Sequence, residues 1–421
     1  MKVLVLGAGG REHALCWALD RAESVSAVHC APGNVGIAQV AMCHPEVDAA
    51  DCDAAVDLAV SIGADLVVVG PEAPLMAGVA DALRAADLAV FGPSAAAARI
   101  EGSKQFAKEI MNAAGVATAR HWSGDHPEKA VAALDDFAPP YVVKADGLAA
   151  GKGVRICADR AAAEVAIEET MIAGLFGDAG NVVVIEEFLR GPEVSVFALC
   201  DGVTCRLLAP AQDFKRVFDG DAGPNTGGMG AWCPYPLASD VLETLRVDVF
   251  QPVLDELSGR SLPYVGVLYG GFVLTDAGPQ VLEFNARFGD PETQVVLPRL
   301  RTDLGQLLAT CANGSLEQMP ALSWDERACV TVVLASGGYP GAYQTGKVIR
   351  GLDQAADRDD AIVFHAGTAR EGDAVVTAGG RVMGVSGLGE DVPRARTAAY
   401  ATADLIDFDH LHRRGDIAAA G

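Results

Sequence analysis

Four apolar runs of strand length, KVLVLG, SAVHC, DLVVVG and LAVFG, recur through about the first hundred residues, with helical segments such as Glu12–Asp20 and Met76–Ala86 between them. A strand that returns through a helix pairs in parallel with its predecessor, because a tight hairpin is not open to it. The alternation predicts an α/β domain on a parallel sheet over 1–102, receiving ligands beyond the carboxyl ends of its strands. Two turns stand at such ends. LVLGAGG (Leu4–Gly10) opens a helix whose backbone N–H groups suit an anion, making Gly9 and Gly10 candidate contacts. Glu72, in VVVGPEAPL, is placed to accept bonds from a sugar hydroxyl. The first turn is not a dinucleotide fingerprint. G-x-G-x-x-G would need glycine where Glu12 stands, and the second run ends in APGN without a ribose-binding acid.

From Tyr141 the pattern changes to paired strands. YVVKADGLAAGKGVRIC sets Gly147, Gly151 and Gly153 around Lys152, with Lys144 upstream. Glycines let an anion approach bare backbone donors, and lysines neutralise it. A P-loop would require G-x-x-x-x-G-K-[ST] between a strand and a helix. Here the glycine spacing is one residue short, Gly153 takes the hydroxyl position, and both flanks read as strands. The segment therefore reads as a hairpin lid over a nucleotide. Downstream, VVVIEEFLRGPE carries Glu186, Glu187 and Glu193. A strand edge can read adenine and a carboxylate can hold ribose, but taken alone this stretch is better explained as a strand ending in surface acids. Further strand pairs follow, PEVSVFALCDG with VTCRLLAPAQDF and YVGVLYGGFVLTD with PQVLEFNARF. A second glycine loop, GPNTGGMGA, lies just after Lys215 and Arg216. The chain closes with an α+β unit over 324–421, containing ACVTVVLAS, AIVFHAG, RVMGVSG and a helix near Val392–Ile406.

LEFNAR carries the most chemistry. Alternation on a strand puts Glu283, Asn285 and Arg287 on one face and Leu282, Phe284 and Ala286 on the other. Carboxylate and amide oxygens are hard ligands suited to Mg2+ or Mn2+, and a guanidinium suits a phosphate. A salt-bridged strand face is the structural alternative, but a triphosphate and its metal account for all three polar residues together. In the FGDPET that follows, Asp290 could serve simply to cap a helix.

The 421 residues carry a formal charge of −24, which argues against nucleic acid as a partner. No run of about 20 apolar residues is present, so no membrane span is expected. The N-terminus reads as a strand and lacks the apolar core of a signal peptide. Ten scattered cysteines, without a C-x-x-C pair, fit reduced thiols in a cytoplasm.

Taken in order, GGREHA, APGN, GPEAPL, EGSK, VKADGLAAGKGV, EEFL, GPNTGGMGA, EFNARFGDPET, GGYPG and FHAGT resemble the phosphoribosylamine–glycine ligase (glycinamide ribonucleotide synthetase) family of ATP-grasp enzymes, nearly end to end. The resemblance implies an N-terminal substrate domain, a two-part ATP-grasp core over 103–323 with its lid at about 116–190, and the C-terminal α+β domain. It implies ATP-dependent joining of glycine to 5-phosphoribosylamine through glycyl phosphate, in purine biosynthesis; a monomer or weak homo-oligomer is expected. By the same resemblance Lys104 and Lys144 contact ATP phosphates, Gly147–Gly153 form the lid, Glu186, Glu187, Phe188 and Leu189 frame adenine, and Glu193 binds ribose. Glu283 and Asn285 hold the metal, Arg287 neutralises phosphate, and Gly9, Gly10 and Glu72 help hold the ribosylamine. Asp213, Lys215, Thr226, Gly227, Gly228 and Asp290 fall to the acceptor pocket. One departure stands out: AQDFKRV has Phe214 where the family commonly has histidine. Alternation turns Asp213 and Lys215 away from Phe214, so the ring is expected to be structural and its neighbours functional. The nearest alternative activity is a carboxylase or formyltransferase of the same superfamily. A nucleotide-dependent oxidoreductase rests on LVLGAGG alone. A non-catalytic nucleotide-binding protein is opposed by the intact Glu283/Asn285/Arg287 face.

Overall fold

The computed structural model describes residues 1–147 and 153–419. Strands β1 (Lys2–Gly7), β2 (Ala27–Pro32), β3 (Met42–Cys43), β4 (Leu66–Val69) and β5 (Val90–Phe91) form a parallel sheet in the order β3-β2-β1-β4-β5. Helices α1 (Gly10–Asp20), α2 (Cys52–Ile62), α3 (Glu72–Ala77) and α4 (Val79–Ala85) follow its strands. The order reverses between β1 and β4, so the loops after these two strands face a common crevice, the usual ligand position of an open α/β sheet. Gly9 ends the first of those loops and Glu72 opens α3 after the second. The helix expected over Met76–Ala86 is broken at Gly78, whose φ of 89° ends α3 before α4 begins.

Two helices lead out of this domain, α5 (Ala95–Gly102) and α6 (Lys104–Ala113), each capped by a serine hydroxyl, Ser94 and Ser103. The lid sheet has the order β6-β9-β7-β8, from β6 (His121–Gly124), β7 (Tyr141–Ala145), β8 (Val154–Cys157) and β9 (Val183–Glu187). β7 and β8 pair antiparallel, with Lys144 opposite Val154, so the glycine-rich segment joins two hairpin strands. Residues 148–152 at its tip, with Gly151 and Lys152, lie outside the described residues.

The other half of the core is antiparallel, in the order β11-β10-β16-β17, from β10 (Glu193–Asp201), β11 (Cys205–Leu207), β16 (Val265–Thr275) and β17 (Gly278–Asn285). Between β11 and β16 come β12 (Gln212–Asp213), the ribbon β13 (Arg216–Phe218) with β14 (Ala222–Asn225), and β15 (Gly230–Cys233). A register shift beside Phe272 sets it opposite Val281 and sets Gly271 opposite Glu283, so Leu282 is the extra residue of a bulge. The apolar face expected at Leu282, Phe284 and Ala286 is consequently Val281, Phe284 and Ala286, all buried in one core cluster, while Leu282 turns to the cavity.

β12 and β15 do not stay with their own half. They pair onward into the strand Ala328–Ser336, which pairs with Arg381–Gly389 and, through it, with Ala361–His365. A continuous sheet thus crosses the division expected at 323/324.

The C-terminal unit also grips the first domain. The backbone N–H of His365 donates to Nδ1 of His13 on α1 at 2.8 Å, and Asn34 bonds the carbonyls of both Ala8 and His365. Burial, reinforced for His13 by the neighbouring His365, lowers the two imidazoles from 6.5 to about 3 and about 4. Unfolding lets both take up protons that the native state refuses. Stability is therefore complete above pH 6.5 and falls as pH drops toward 4, by up to roughly 1.4 kcal/mol per histidine for each pH unit. The thermal midpoint should decline from pH 7 to pH 5. His13→Gln, which keeps an acceptor but cannot titrate, should flatten the decline. An equal slope in the variant would place the acid sensitivity elsewhere.

Candidate active site

A cavity of about 650 Å³ opens where the three parts meet. α6 supplies one wall through Lys104, Ala107, Lys108 and Met111, which share a helical face, while Phe106 and Ile110 turn into the core. Lys104 donates to the carbonyls of Asp146 and Gly147 at 3.4 and 3.3 Å, tying α6 to the root of the lid. Burial lowers its proton affinity, and Glu283 across the cavity works in the opposite sense.

Lys144, on the lid strand β7, is 3% exposed. Its ammonium lies 2.8 Å from one oxygen of Glu186 and Lys108 lies 3.1 Å from the other. Burial pushes the Glu186 carboxyl up, but the two ammonium groups outweigh it and hold the group below its ordinary range. Burial brings Lys108 down to about 8 against the pull of Glu186. Glu186 thus organises two lysines with its side chain. Glu187 caps the Arg120 backbone N–H instead of facing the cavity, and Phe188 and Leu189 are not among its lining residues.

β17 brings Glu283 and Asn285 onto the cavity face together, as alternation predicts, with Leu282 beside them. Arg287 also lines the cavity, but it is already paired with Glu101 at 3.0 Å and Glu72 at 3.4 Å. Burial alone would lower its proton affinity; the two carboxylates reverse that and raise it. Glu101 comes from α5 and also accepts the Ala286 N–H at 2.7 Å.

The third wall holds Asp213 and Lys215, 2.6 Å apart. Burial raises the Asp213 carboxyl to about 7, with Glu292 and Glu193 adding to the effect and Lys215 opposing it. Glu193 stands outside the cavity lining and reaches Lys215 at 3.2 Å. Phe214 faces the other way, packed on a cluster with Val217, Met229 and Trp232 beneath the Arg414 guanidinium. Phe214→Leu should therefore keep turnover within about 3-fold, whereas Lys215→Ala should lose roughly 100-fold through loss of a half-buried charge that faces the cavity. Steady-state rates on variants shown to be folded test this, and the reverse ranking would mean that the two faces are exchanged.

Thr226 uses its hydroxyl to bond the Lys215 carbonyl and to accept the Gly228 N–H, so it shapes its loop. Gly227 lines the cavity. Gly228 does not; its φ of 111° and the ring of Pro291, 2.4 Å from where a Cβ would stand, explain the glycine. Asp290 does not cap a helix. It lines the cavity, accepts from Gln294 at 2.8 Å and faces Arg381 at 3.4 Å.

At the start of α1, where an anion site is expected, the leading N–H is already taken. The Gly9 N–H donates to the Glu12 carboxylate at 2.6 Å, and Arg11 holds the other oxygen at 2.5 Å. Gly9 still lines the cavity, while Gly10 lies against Gln294. Sequence reading missed Arg11, Glu12, Glu101, Lys108, Tyr269, Glu292, Tyr339 and Arg381.

Among the described residues no three His, Cys, Asp or Glu side chains cluster as a self-sufficient metal site. Glu283 and Asn285 offer two hard oxygen donors, which suits a cation that completes its shell with phosphate and water.

The domain families matched are Phosphoribosylglycinamide synthetase N domain over 1–101, its ATP-grasp (A) domain over 102–293 and its C domain over 329–420. The chain is 54% identical to the phosphoribosylamine–glycine ligase of Streptomyces coelicolor, covering 100% of this chain and 99% of that one. It is 47% identical to that of Phenylobacterium zucineum over 99% and 98% of the two chains. The crystal structure of the Thermotoga maritima phosphoribosylamine–glycine ligase superposes with a TM-score of 0.86 at 34% identity, over 99% of this chain and 100% of that one. A biotin carboxylase domain from Hydrogenobacter thermophilus, at 16% identity and TM-score 0.75 over 98% and 91%, shares the fold. The chain belongs to the phosphoribosylglycinamide synthetase family.

Proposed function

We propose that this chain joins glycine to 5-phosphoribosylamine with conversion of ATP to ADP and phosphate, as an enzyme of purine biosynthesis. The carrying observation is that Lys104, Lys144, Glu283 and Asn285 from three separate elements face one cavity large enough for a nucleotide and two small substrates. A carboxylate is a poor electrophile. Transfer of the γ-phosphoryl group to a glycine oxygen releases ADP and leaves glycyl phosphate. The ribosylamine nitrogen then attacks the carbonyl carbon, phosphate departs, and the nitrogen gives up one proton. Such chemistry rests on positioning and charge neutralisation and needs no protein nucleophile.

Lys104 and Lys144 meet the nucleotide phosphates in this reading. The glycine-rich segment Gly147–Gly153, with Gly151 and Lys152, serves as the lid over them. Glu283 and Asn285 would hold Mg2+ or Mn2+, which supplies charge neutralisation along the phosphates. Arg287, fixed between Glu72 and Glu101, presents a constrained guanidinium to the transferring group. Asp213, with its proton affinity near neutrality, is suited to accept the proton released by the amine. Glu72 and Asp290, held ionised by neighbouring arginines against the effect of burial, accept bonds from ribose hydroxyls.

Three working units, 1–102, 103–323 with a lid at 116–190, and 324–421, fit this scheme. Ten free thiols fit a cytoplasmic enzyme acting on small molecules as a monomer or weak homo-oligomer. ADP release measured with glycine or ribosylamine omitted in turn tests the activity. Release that ignores either omission would refute it.

A further inference from the structure

We propose that Arg381, from the C-terminal unit, receives the 5-phosphate of the ribosylamine acceptor, an assignment that rests on the activity above. A phosphorylated acceptor needs a cation beyond those that serve ATP. Among the described residues, most cations of the cavity are already bound. Arg11 is 2.5 Å from Glu12, Lys215 is 2.6 Å from Asp213, Arg287 is 3.0 Å from Glu101, and Lys108 and Lys144 share Glu186. Lys104, tied to the root of the lid, stands on the nucleotide wall. The start of α1, the obvious alternative, has its leading N–H occupied by Glu12.

Arg381 differs from the others. Its Nη1 donates to the carbonyls of Gly227 and Asp290 at 2.6 and 2.8 Å, which fixes the guanidinium plane without consuming its charge. Its nearest carboxylate, Asp290, stands 3.4 Å from Nη2, the longest of the cavity's closest ion pairs. The Nε–Nη2 edge of the fork is thus the side left for a phosphate, whose geometry it matches. Tyr339 stands beside it, its hydroxyl accepting the Gly227 N–H at 3.0 Å and keeping its own proton to donate. The ring reaches this position because residue 380 is glycine: a Cβ there would lie 2.3 Å from the Tyr339 ring. Asp290, bonded to Gln294 and facing Arg381, then sits beside the phosphate where the ribose hydroxyls would lie.

The test compares two acceptors generated in solution with ammonia, one from ribose 5-phosphate and one from ribose. Arg381→Ala should raise the KM for the phosphorylated acceptor roughly 10- to 100-fold, as expected for losing a charged hydrogen bond. KM for ATP and glycine should stay within about 3-fold, and kcat/KM for the dephosphorylated acceptor should be unchanged. If the wild type turns that acceptor over too slowly, inhibition by ribose 5-phosphate replaces it and should weaken 10-fold or more. Arg381→Lys, which keeps the charge, guards against misfolding and should fall between the two. Equal losses on both acceptors would show that Arg381 only orients Asp290 and Gly227, and no loss on either would remove it from the site. Failure of the activity itself would appear separately, as wild-type ADP release independent of glycine.

Discussion

Glu186→Gln should destabilise the protein by about 3–5 kcal/mol and abolish productive ATP binding, although Glu186 need never touch the nucleotide. Its carboxylate is 1% exposed and neutralises Lys108 and Lys144, each 3% exposed. One carboxylate between two ammonium groups leaves a net positive charge, which the nucleotide phosphates would complete in the proposed reaction. An amide in its place leaves two buried cations facing one another. Lys108, already lowered to about 8, relieves this by shedding its proton at a lower pH still. Above that new pKa the folded variant carries one charge fewer. The stability deficit relative to wild type should therefore be largest above the carboxylate range, where Glu186 is ionised, shrink as pH rises from about 6 toward 8 and level off beyond it. Urea unfolding at pH 6 and pH 8 measures the deficit, and nucleotide-dependent protection measures binding. Stability within 1 kcal/mol of wild type at both values, together with wild-type ATP affinity, would show that the triad organises nothing.

What could be read from the sequence depended on the range of the interaction. The parallel first sheet follows from alternation, because each apolar run is a local property. Glu283 and Asn285 follow from the two-residue period of a strand, and the opposition of Phe214 to Asp213 and Lys215 follows the same way. The bulge at Leu282 did not, because it arises from pairing with β16 and not from the strand's own residues. Lys108 was within reach: it lies four residues from Lys104 on a segment with helical periodicity, so both had to share a face. The glutamate at the third position of α1 was a similar signal, since a carboxylate there commonly returns to the N-cap N–H. Glu101 and Arg381 were not legible. Glu101 meets Arg287 across 186 positions and Arg381 meets Asp290 across 91, and no spacing rule spans such separations. The family resemblance supplied roles but not partners. It made Arg287 a phosphate ligand without its two carboxylates and placed Glu186 beside adenine without the two lysines its side chain holds.

Glu283→Gln should lower turnover by roughly 100- to 1000-fold while leaving the fold intact. The substitution keeps shape and an oxygen donor and removes only the charge. With Asn285 neutral, Glu283 is the one formal charge that β17 offers to a divalent cation at this wall. Losing it weakens retention of the cation beside the phosphates, so raising the Mg2+ or Mn2+ concentration should restore part of the rate. A second consequence reaches Lys104. Burial depresses its proton affinity and Glu283 is the foremost group supporting it, so the amide lets it fall further. In its proposed role Lys104 must be charged to meet phosphate, so activity should be lost as pH rises through its pKa. The alkaline limb of the rate profile should accordingly move to lower pH in the variant. Thermal unfolding like that of wild type, a rate that climbs with metal and a shifted alkaline limb would together assign the charge to the reaction. Undiminished turnover at low metal concentration would instead leave Glu283 as a wall residue and place the cation elsewhere.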